Sequence, residues 1–165
     1  MKIIWKKMGN NQEQILNSWM SNIDKQNLCL TKKSWQKTAT DINECIKFMD
    51  KSQFINVMGF VNNVPVVAIM FGIEHENVLN VYDIIVNPKF RNNGIAKLLL
   101  EKFLKNDMKL ELGLKYNYKT ISVTTCQNNY KMQNLIVNLG FAMFSSDAEY
   151  LTYRKDLVNV NENIK

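Results

Sequence analysis

The sequence predicts an α/β fold of the α+β kind, with a mixed, mostly antiparallel sheet of about seven strands flanked by about four helices. Short apolar runs separated by turn residues fill positions 54–86, which indicates consecutive antiparallel strands. Amphipathic segments at 94–112 and 129–140 each follow an apolar run. The strand–helix–strand order from 81 to 126 requires one parallel pair within the sheet.

The N-terminal third supplies one strand and two helices. Residues 2–8, KIIWKKM, predict the first strand, and residues 10–20 predict a helix. Residues 34–49 predict a second helix with an apolar face. The irregular segment between them, residues 21–33, is interpreted as a loop over a site.

The middle of the chain predicts three successive strands. Residues 54–61 and 64–73 form a predicted antiparallel hairpin, because Asn62 and Asn63 between them favour a tight turn. Residues 78–86 form the next strand, which Pro88 should terminate since proline cannot donate to the ladder.

The C-terminal half alternates helices and strands. A helix over 94–112 is followed by a strand over 118–126, a helix over 129–140 and a final hairpin of 141–146 with 148–157. Spacings of three and four residues define an apolar stripe on the first of these helices. The stripe consists of Ala96, Leu99, Leu100, Phe103 and Leu104.

Length and composition indicate one globular domain. The chain has 165 residues, of which 46% are hydrophobic and 22% charged. We expect a single domain over 1–157 and a frayed C-terminal tail over 158–165. The net charge of +6 leaves open a nucleic acid, an anionic surface or a phosphorylated ligand. Because the lysines are scattered and no nucleic-acid motif is present, we expect neither a nucleic-acid nor a membrane partner.

The cysteines bear on compartment and metal content. Cys29, Cys45 and Cys126 are odd in number and far apart, so they predict neither a disulfide framework nor a metal site. A reducing compartment follows, and we expect the protein to be cytoplasmic. The longest apolar run, residues 64–73, is about half the ~20 residues that a membrane span needs.

The stretch VNPKFRNNGIAKLLL, residues 86–100, joins a strand to a helix through a polar turn. The first N–H groups of a helix lack internal partners and bind anions. Gly94 and Ala96 keep these groups accessible, and Arg91 adds a cation suited to phosphate. The turn therefore predicts a pyrophosphate site, although the Walker and dinucleotide glycine patterns are absent.

The Arg-x-x-Gly-x-Ala pattern at 91–96 resembles the acyl-CoA signature of the GCN5-related N-acetyltransferase (GNAT) family, Arg/Gln-x-x-Gly-x-Gly/Ala. Two further features match the family: the preceding 86–88, Val-Asn-Pro, and a later helix running from Asn129 to Gly140-Phe141. The resemblance extends over residues 52–157. It implies a GNAT fold whose parallel strands splay apart. It also implies an acetyl-CoA-dependent N-acetyltransferase acting on a primary amine. We expect a small-molecule acceptor, with a peptide or protein amine as the alternative.

The resemblance assigns roles in binding acetyl-CoA, the expected co-substrate, with no metal. It implies that backbone groups of Ile85 and Val86 pair with the pantetheine arm. Asn129 is expected to contact the pantetheine. Lys131 could approach the 3′-phosphate, or it could be a solvated surface lysine. Backbone amides expected to cradle the pyrophosphate are those of Arg91, Asn92, Asn93, Gly94, Ile95 and Ala96.

Acetyl transfer requires a neutral amine, so a base must remove a proton from an alkylammonium. Asp83 is the leading candidate for the base, although strand alternation places it on the face opposite Val86. His75, in the Glu-His-Glu turn at 74–76, remains an alternative base, and Glu149 on the final hairpin remains a possible amine contact. The backbone N–H near Val86 is the implied oxyanion donor.

One departure from the family pattern keeps a second function open. Many members carry a tyrosine four residues before the Gly-Phe pair to protonate the leaving thiolate, and this chain has Ile136 there. Another donor could serve, or water, or the thiolate could leave unprotonated. An inactive acyl-CoA-binding module is therefore the alternative. We expect a monomer or homodimer, with acceptor specificity determined within residues 15–50.

Overall fold

A seven-stranded mixed sheet forms the centre of the protein. The computed structural model describes residues 2–8, 14–16, 18–19, 54–74, 77–115, 117–148 and 150–157. The strands are β1 Ile4–Lys7, β2 Phe54–Val61, β3 Val64–Glu74, β4 Val78–Val86, β5 Thr120–Cys126, β6 Ala142–Ser146 and β7 Tyr150–Asp156. Their order is β1-β2-β3-β4-β5-β7-β6, and β4 pairs with β5 in parallel. The predicted mixed sheet with one parallel pair is confirmed.

Helices pack on both faces of this sheet. The described helices are α1 Ile95–Leu104, α2 Asp107–Leu112 and α3 Tyr130–Asn138, and residues 14–16 and 18–19 are also helical. A 3₁₀ turn over Pro88–Phe90 follows β4, as expected from the proline after this strand. None of the described helices is long and apolar enough to cross a membrane.

The prediction of one continuous helix over 94–112 was wrong. The helix ends at Leu104, where Lys105 donates its N–H to the carbonyls of Glu101 and Phe103. Asn106 then adopts a left-handed conformation with φ 61°, which asparagine tolerates, and α2 begins at Asp107. The predicted helix over 34–49, the loop over 21–33 and the tail over 158–165 lie outside the described residues.

The main core lies between α1 and the sheet. The rings of Phe71 and Phe103 meet edge to face, with centroids 5.2 Å apart. The predicted stripe is confirmed for Leu99, Leu100 and Phe103, which are fully buried. On the opposite face a second cluster contains Leu16, Trp19, Met58, Phe60, Ala68 and Ile85. The helical residues 14–16 and 18–19 therefore lie on the side of the sheet that α1 leaves open.

Candidate active site

A wedge opens in the sheet where β4 and β5 separate. The two strands are paired from Val78 with Thr120 to Val81 with Val123, and no further. Beyond that point β4 continues along β3 up to Val86, while β5 continues along β7. The facing edges of the two strands are thus without a strand partner, and an extended ligand could pair with them.

A β-bulge at Tyr82 determines which side of the sheet receives Asp83. Phe71 pairs with Val81, but the adjacent Met70 pairs with Asp83, so Tyr82 is the additional residue on β4. Cross-strand partners project from the same face. Asp83 therefore lies on the face of the second cluster, whereas Val81 lies on the face that α1 covers. The expected opposition of Asp83 and Val86 is found.

The ladder also determines where the backbone groups of β4 point. Asn87 donates its N–H to the carbonyl of Val66 at 2.9 Å, which identifies a hydrogen-bonded position of the antiparallel ladder. Because hydrogen-bonded positions alternate with non-hydrogen-bonded ones, the backbone groups of Ile85 point to Ala68, and those of Val86 point into the wedge. The geometry favours Val86, together with Ile84, over Ile85 for backbone contacts in the wedge.

The turn after β4 is fixed by its own side chains. Asn87 is buried; its Nδ2 donates to the carbonyl of Pro65 at 2.8 Å, and its Oδ1 accepts the N–H of Lys89 at 3.1 Å. Arg91 donates from Nε to the carbonyl of Val86 at 3.2 Å. Burial lowers the pKa of Arg91. This hydrogen bond therefore stabilises the end of β4 and fixes the orientation of the Arg91 guanidinium.

The start of α1 presents a series of unpaired amides. Within the described structure, the backbone N–H groups from Asn92 to Lys97 donate to no protein acceptor, and the first turn contains no acidic residue. Gly94 has φ 73°, and a Cβ built there would meet no atom within 4 Å. Open space in front of oriented amides is the arrangement that an anionic phosphate requires. The predicted residues 91–96 are thus brought together at one helix end.

The third helix begins beside the far edge of the wedge. Asn129 caps it by accepting the N–H of Met132 at 3.2 Å, and its Nδ2 makes no hydrogen bond with the described residues. Gln133 donates to the carbonyl of Cys126 at 3.1 Å, which ties the helix to the end of β5. Lys131 is exposed one residue into the helix. Ile136 is fully buried in the main core.

Asp83 has the electrostatics that a base needs near neutral pH. Burial raises its pKa from 3.8 to about 7. Such a value allows a carboxylate to accept a proton in one step and release it in the next. Outside the described residues lie His75, which is the alternative base, and Glu149, which is the possible amine contact.

A first row of side chains crosses the sheet at Asp83. Asn56 of β2 pairs with Met70 of β3, and Met70 pairs with Asp83, so the three side chains share one face. The Oδ1 atom of Asn56 is buried and accepts no hydrogen bond within the part of the chain that the structure describes. An asparagine inside the apolar run of β2 is the signal by which the sequence could have indicated this position.

A second row of side chains projects from the same face of the sheet. It lies at the neighbouring position of that face, where β4 and β5 are still paired. Asn80 pairs with Ser122 of β5, and Ser122 pairs with Arg154 of β7. Asn80 and Ser122 are buried, at 8% and 2% exposure. None of the three was predicted from the sequence, although single polar residues interrupt otherwise apolar strands at Asn80 and Ser122. The two rows together are called the polar face.

A family model for the acetyltransferase (GNAT) family matches residues 19–141. The chain belongs to the GNAT family. The matched region includes the wedge, the turn before α1 and the third helix, so the family resemblance predicted from residues 91–96 is confirmed. Among the described residues, no group of three or more His, Cys, Asp or Glu side chains is placed to hold a metal ion.

Solved structures show that the GNAT fold extends over nearly the whole chain. An acetyltransferase from Thermus thermophilus is 11% identical with a TM-score of 0.72, covering 95% of this chain and 98% of its own. The PaiA N-acetyltransferase of Thermoplasma acidophilum, in complex with coenzyme A, is 13% identical with a TM-score of 0.63, covering 94% and 99%.

A third structure belongs to an enzyme named for a protein acceptor. The ribosomal-protein-S18-alanine N-acetyltransferase of Escherichia coli is 12% identical with a TM-score of 0.65, and the match covers 99% of each chain. A search of curated protein sequences finds no match. At these identities the structures establish the fold and leave the acceptor to be inferred from the site.

Proposed function

We propose that this GNAT acetyltransferase transfers an acetyl group from acetyl-CoA to a primary amine of a small molecule by direct attack. The observation that carries the proposal is the wedge beside the unpaired amides of residues 92–97. Together they offer an extended slot for a pantetheine arm and a positive helix end for a pyrophosphate. A cytoplasmic location is part of the proposal, supported by the scattered cysteines.

The proposed mechanism assigns a role to each group in or beside the wedge. Acetyl-CoA supplies an activated thioester. The N–H of Val86, directed into the wedge, is the proposed donor to the acetyl oxygen as negative charge develops there. Asp83 accepts a proton from the incoming ammonium, directly or through water, and its raised pKa suits this role. Asn129 and Lys131 are proposed contacts of the pantetheine and the 3′-phosphate.

The buried Ile136 motivates a second candidate, a module that binds acyl-CoA without catalysis. A phenol four residues before Gly140 is absent, so no side chain at this position can protonate the thiolate. A thiol with a pKa near ~8.5 nevertheless leaves tolerably without that proton near neutral pH. We therefore favour catalysis, with thiolate protonation left to water.

Thermal unfolding with coenzyme A tests the binding half of the proposal. Ligand at about 100 times its dissociation constant should stabilise the fold by about 2.7 kcal/mol, which raises Tm by about 5–11 °C. Pantetheine, which lacks the phosphates, is the matched control and should give a much smaller rise. Equal shifts with both ligands would exclude the helix end as a phosphate site.

Thiol release from acetyl-CoA tests the catalytic half. Simple amines, polyamines, amino acids and peptides serve as acceptors, and we expect turnover with small-molecule amines. Coenzyme A binding without turnover of any class would support the binding module and exclude the enzyme. Turnover of peptides alone would retain the enzyme and exclude the small-molecule acceptor.

A further inference from the structure

Three buried polar atoms on the polar face have no hydrogen-bond partner among the described residues. They are Oδ1 of Asn56, Nδ2 of Asn80 and Nε of Arg154. A buried polar group without a partner costs about 1–3 kcal/mol, and native proteins contain few of them. Three on one face of one sheet, in the two rows around Asp83, indicate positions that a bound molecule satisfies.

The two rows differ in the hydrogen-bonding groups that they can bind on that molecule. A side-chain amide can present either its oxygen or its nitrogen, so Asn56 and Asn80 adapt to the ligand. The charged groups are not adaptable: Arg154 only donates, and an ionised Asp83 only accepts. The first row therefore suits a group rich in N–H donors, and the second row suits one rich in oxygen acceptors.

The guanidinium of Arg154 has an orientation that allows it to bind a carboxylate. Its Cζ lies 3.6 Å from the centroid of the Phe144 ring, so the ring covers one face of the guanidinium. Stacking of this kind leaves the in-plane N–H groups available for a bidentate carboxylate. Within the described residues, Arg154 forms no ion pair with any carboxylate. Its charge thus has no counterion among the described residues of this face.

The first row lies next to the wedge, where the proposed reaction takes place, and the second row lies farther from it. Asp83 lies past the last β4–β5 pair, beside the wedge, whereas Asn80 and Arg154 lie on the closed side. With strands about 4.8 Å apart and same-face positions about 6.6 Å apart, the Cα atoms of Asp83 and Arg154 are separated by roughly 12 Å. A small molecule that carries an amine and a carboxylate can span this separation.

We propose that the acceptor is an amine that also carries a carboxylate, an amino acid or a related aminocarboxylate. Its amine lies at Asp83, next to the wedge, and its carboxylate binds Arg154 with support from Asn80. The inference rests on the proposed acetyl transfer and names the chemical class of the acceptor. Arg154 then contributes to ground-state binding, so it should act on KM and leave kcat nearly unchanged.

Matched acceptor pairs test the inference. Each aminocarboxylate is compared with the amine that lacks its carboxylate: glycine with methylamine, β-alanine with ethylamine and lysine with cadaverine. At least one aminocarboxylate should exceed its partner in kcat/KM by about ten- to hundredfold, the range of a charged hydrogen bond. Arg154→Gln should abolish that ratio through KM, and Arg154→Lys should restore part of it. Lys105→Gln, an exposed change on the surface, should preserve the wild-type ratio.

The outcomes separate this inference from the proposed function. Turnover in which every amine equals or exceeds its aminocarboxylate would overturn the inference and leave the acetyltransferase intact. An unchanged ratio in Arg154→Gln, with wild-type Tm and coenzyme A affinity, would also overturn it. In the absence of any turnover, calorimetric titration of the aminocarboxylates into the coenzyme A complex decides. Binding that depends on Arg154 would support the inference while excluding catalysis, and no binding would exclude both.

Discussion

Asp83 owes its character to the apolar side chains around it. It shares a sheet face with Met70 and Ile85, and the second cluster of Leu16 and Trp19 packs on that face. Low polarity favours the protonated carboxyl, which accounts for a pKa of about 7. The burial that suits Asp83 to act as a base therefore also lowers the stability of the folded protein when this carboxyl is ionised.

We expect the acetylation rate to rise with pH through about 7, because only ionised Asp83 accepts a proton. Asp83→Asn should lower kcat by about 10²–10⁴-fold, the range of general base catalysis, and remove this rise. Glu101→Gln, a carboxylate on α1 paired with Lys97, is the control and should retain both. Steady-state kinetics across pH provide the measurement, and an unchanged profile in Asp83→Asn would assign the base elsewhere.

The same substitution should stabilise the protein at alkaline pH. The folded pKa of Asp83 lies above its ordinary value of 3.8, so folding favours the protonated carboxyl. The resulting penalty is absent below the ordinary value, grows as pH rises and is complete above about 7. Asp83→Asn should therefore raise Tm over wild type at alkaline pH and not at acidic pH. A Tm difference that does not depend on pH would contradict this linkage.

Gly94 can be tested against a glycine of the same conformation. Gly94 and Gly113 have φ of 73° and 63°, and neither has an atom within 4 Å of a built Cβ. Alanine at either position should cost about 1 kcal/mol of stability through left-handed strain. Only Gly94→Ala should also weaken coenzyme A binding, since its methyl group enters the space before the amides. Equal coenzyme A affinity in both variants, measured by titration, would locate the phosphate elsewhere.

At the scale of elements, α1 links the main core to the anion site. Its buried residues Leu99 and Leu100 fix the helix on the sheet, so the amides at its N-terminus keep a constant direction. Preorganised donors of this kind need no rearrangement when an anion arrives. Packing and ligand binding are therefore coupled through a single helix.

Leu99→Ala should destabilise the fold by about 3 kcal/mol, because a fully buried leucine leaves a cavity. Lys97→Ala, on the exposed side of the same helix, loses one surface ion pair and should cost less than about 1 kcal/mol. Urea denaturation with an unchanged m-value measures both effects. Equal losses in the two variants would show that α1 is not anchored as described.

Local sequence patterns predicted the helices and strands. The bulge in β4 and the position of Arg154 depend on long-range strand pairing and were not predicted. The strand ends, the turn after β4 and the stripe of α1 follow from spacings within a few residues. The bulge at Tyr82 left no such trace, because VLNVYDIIV contains no glycine to indicate it. Arg154 was missed for a similar reason: its row exists because β7 inserts between β5 and β6, which no local pattern specifies.

At the scale of the molecule, the net charge of +6 provides a general attraction for anions. Attraction of this kind is screened by salt, whereas oriented amides at a helix end act at contact distance. The scattered lysines and the focused site at α1 should therefore respond differently to ionic strength.

Any binding to duplex DNA should be lost by about 0.2 M salt, because it would rest on lysines alone. The thermal stabilisation by coenzyme A should largely persist at the same salt. Fluorescence anisotropy with a labelled duplex and thermal unfolding measure the two effects. Saturable DNA binding that survives this salt would revive nucleic acid as a partner.

The extra residue in β4, Tyr82, reverses the alternation of side chains between the two sheet faces within a single strand. Before Tyr82, odd-numbered side chains such as Leu79 and Val81 point towards α1; after it, even-numbered ones such as Ile84 and Val86 do. Comparing β4 with a regular strand position by position would assign every residue on one side of Tyr82 to the wrong face. Deleting or adding one residue here would exchange reactive and structural positions, even if every other side chain of the strand stayed the same. Redesign of this acetyltransferase should therefore keep the length of β4 fixed and vary only its side chains.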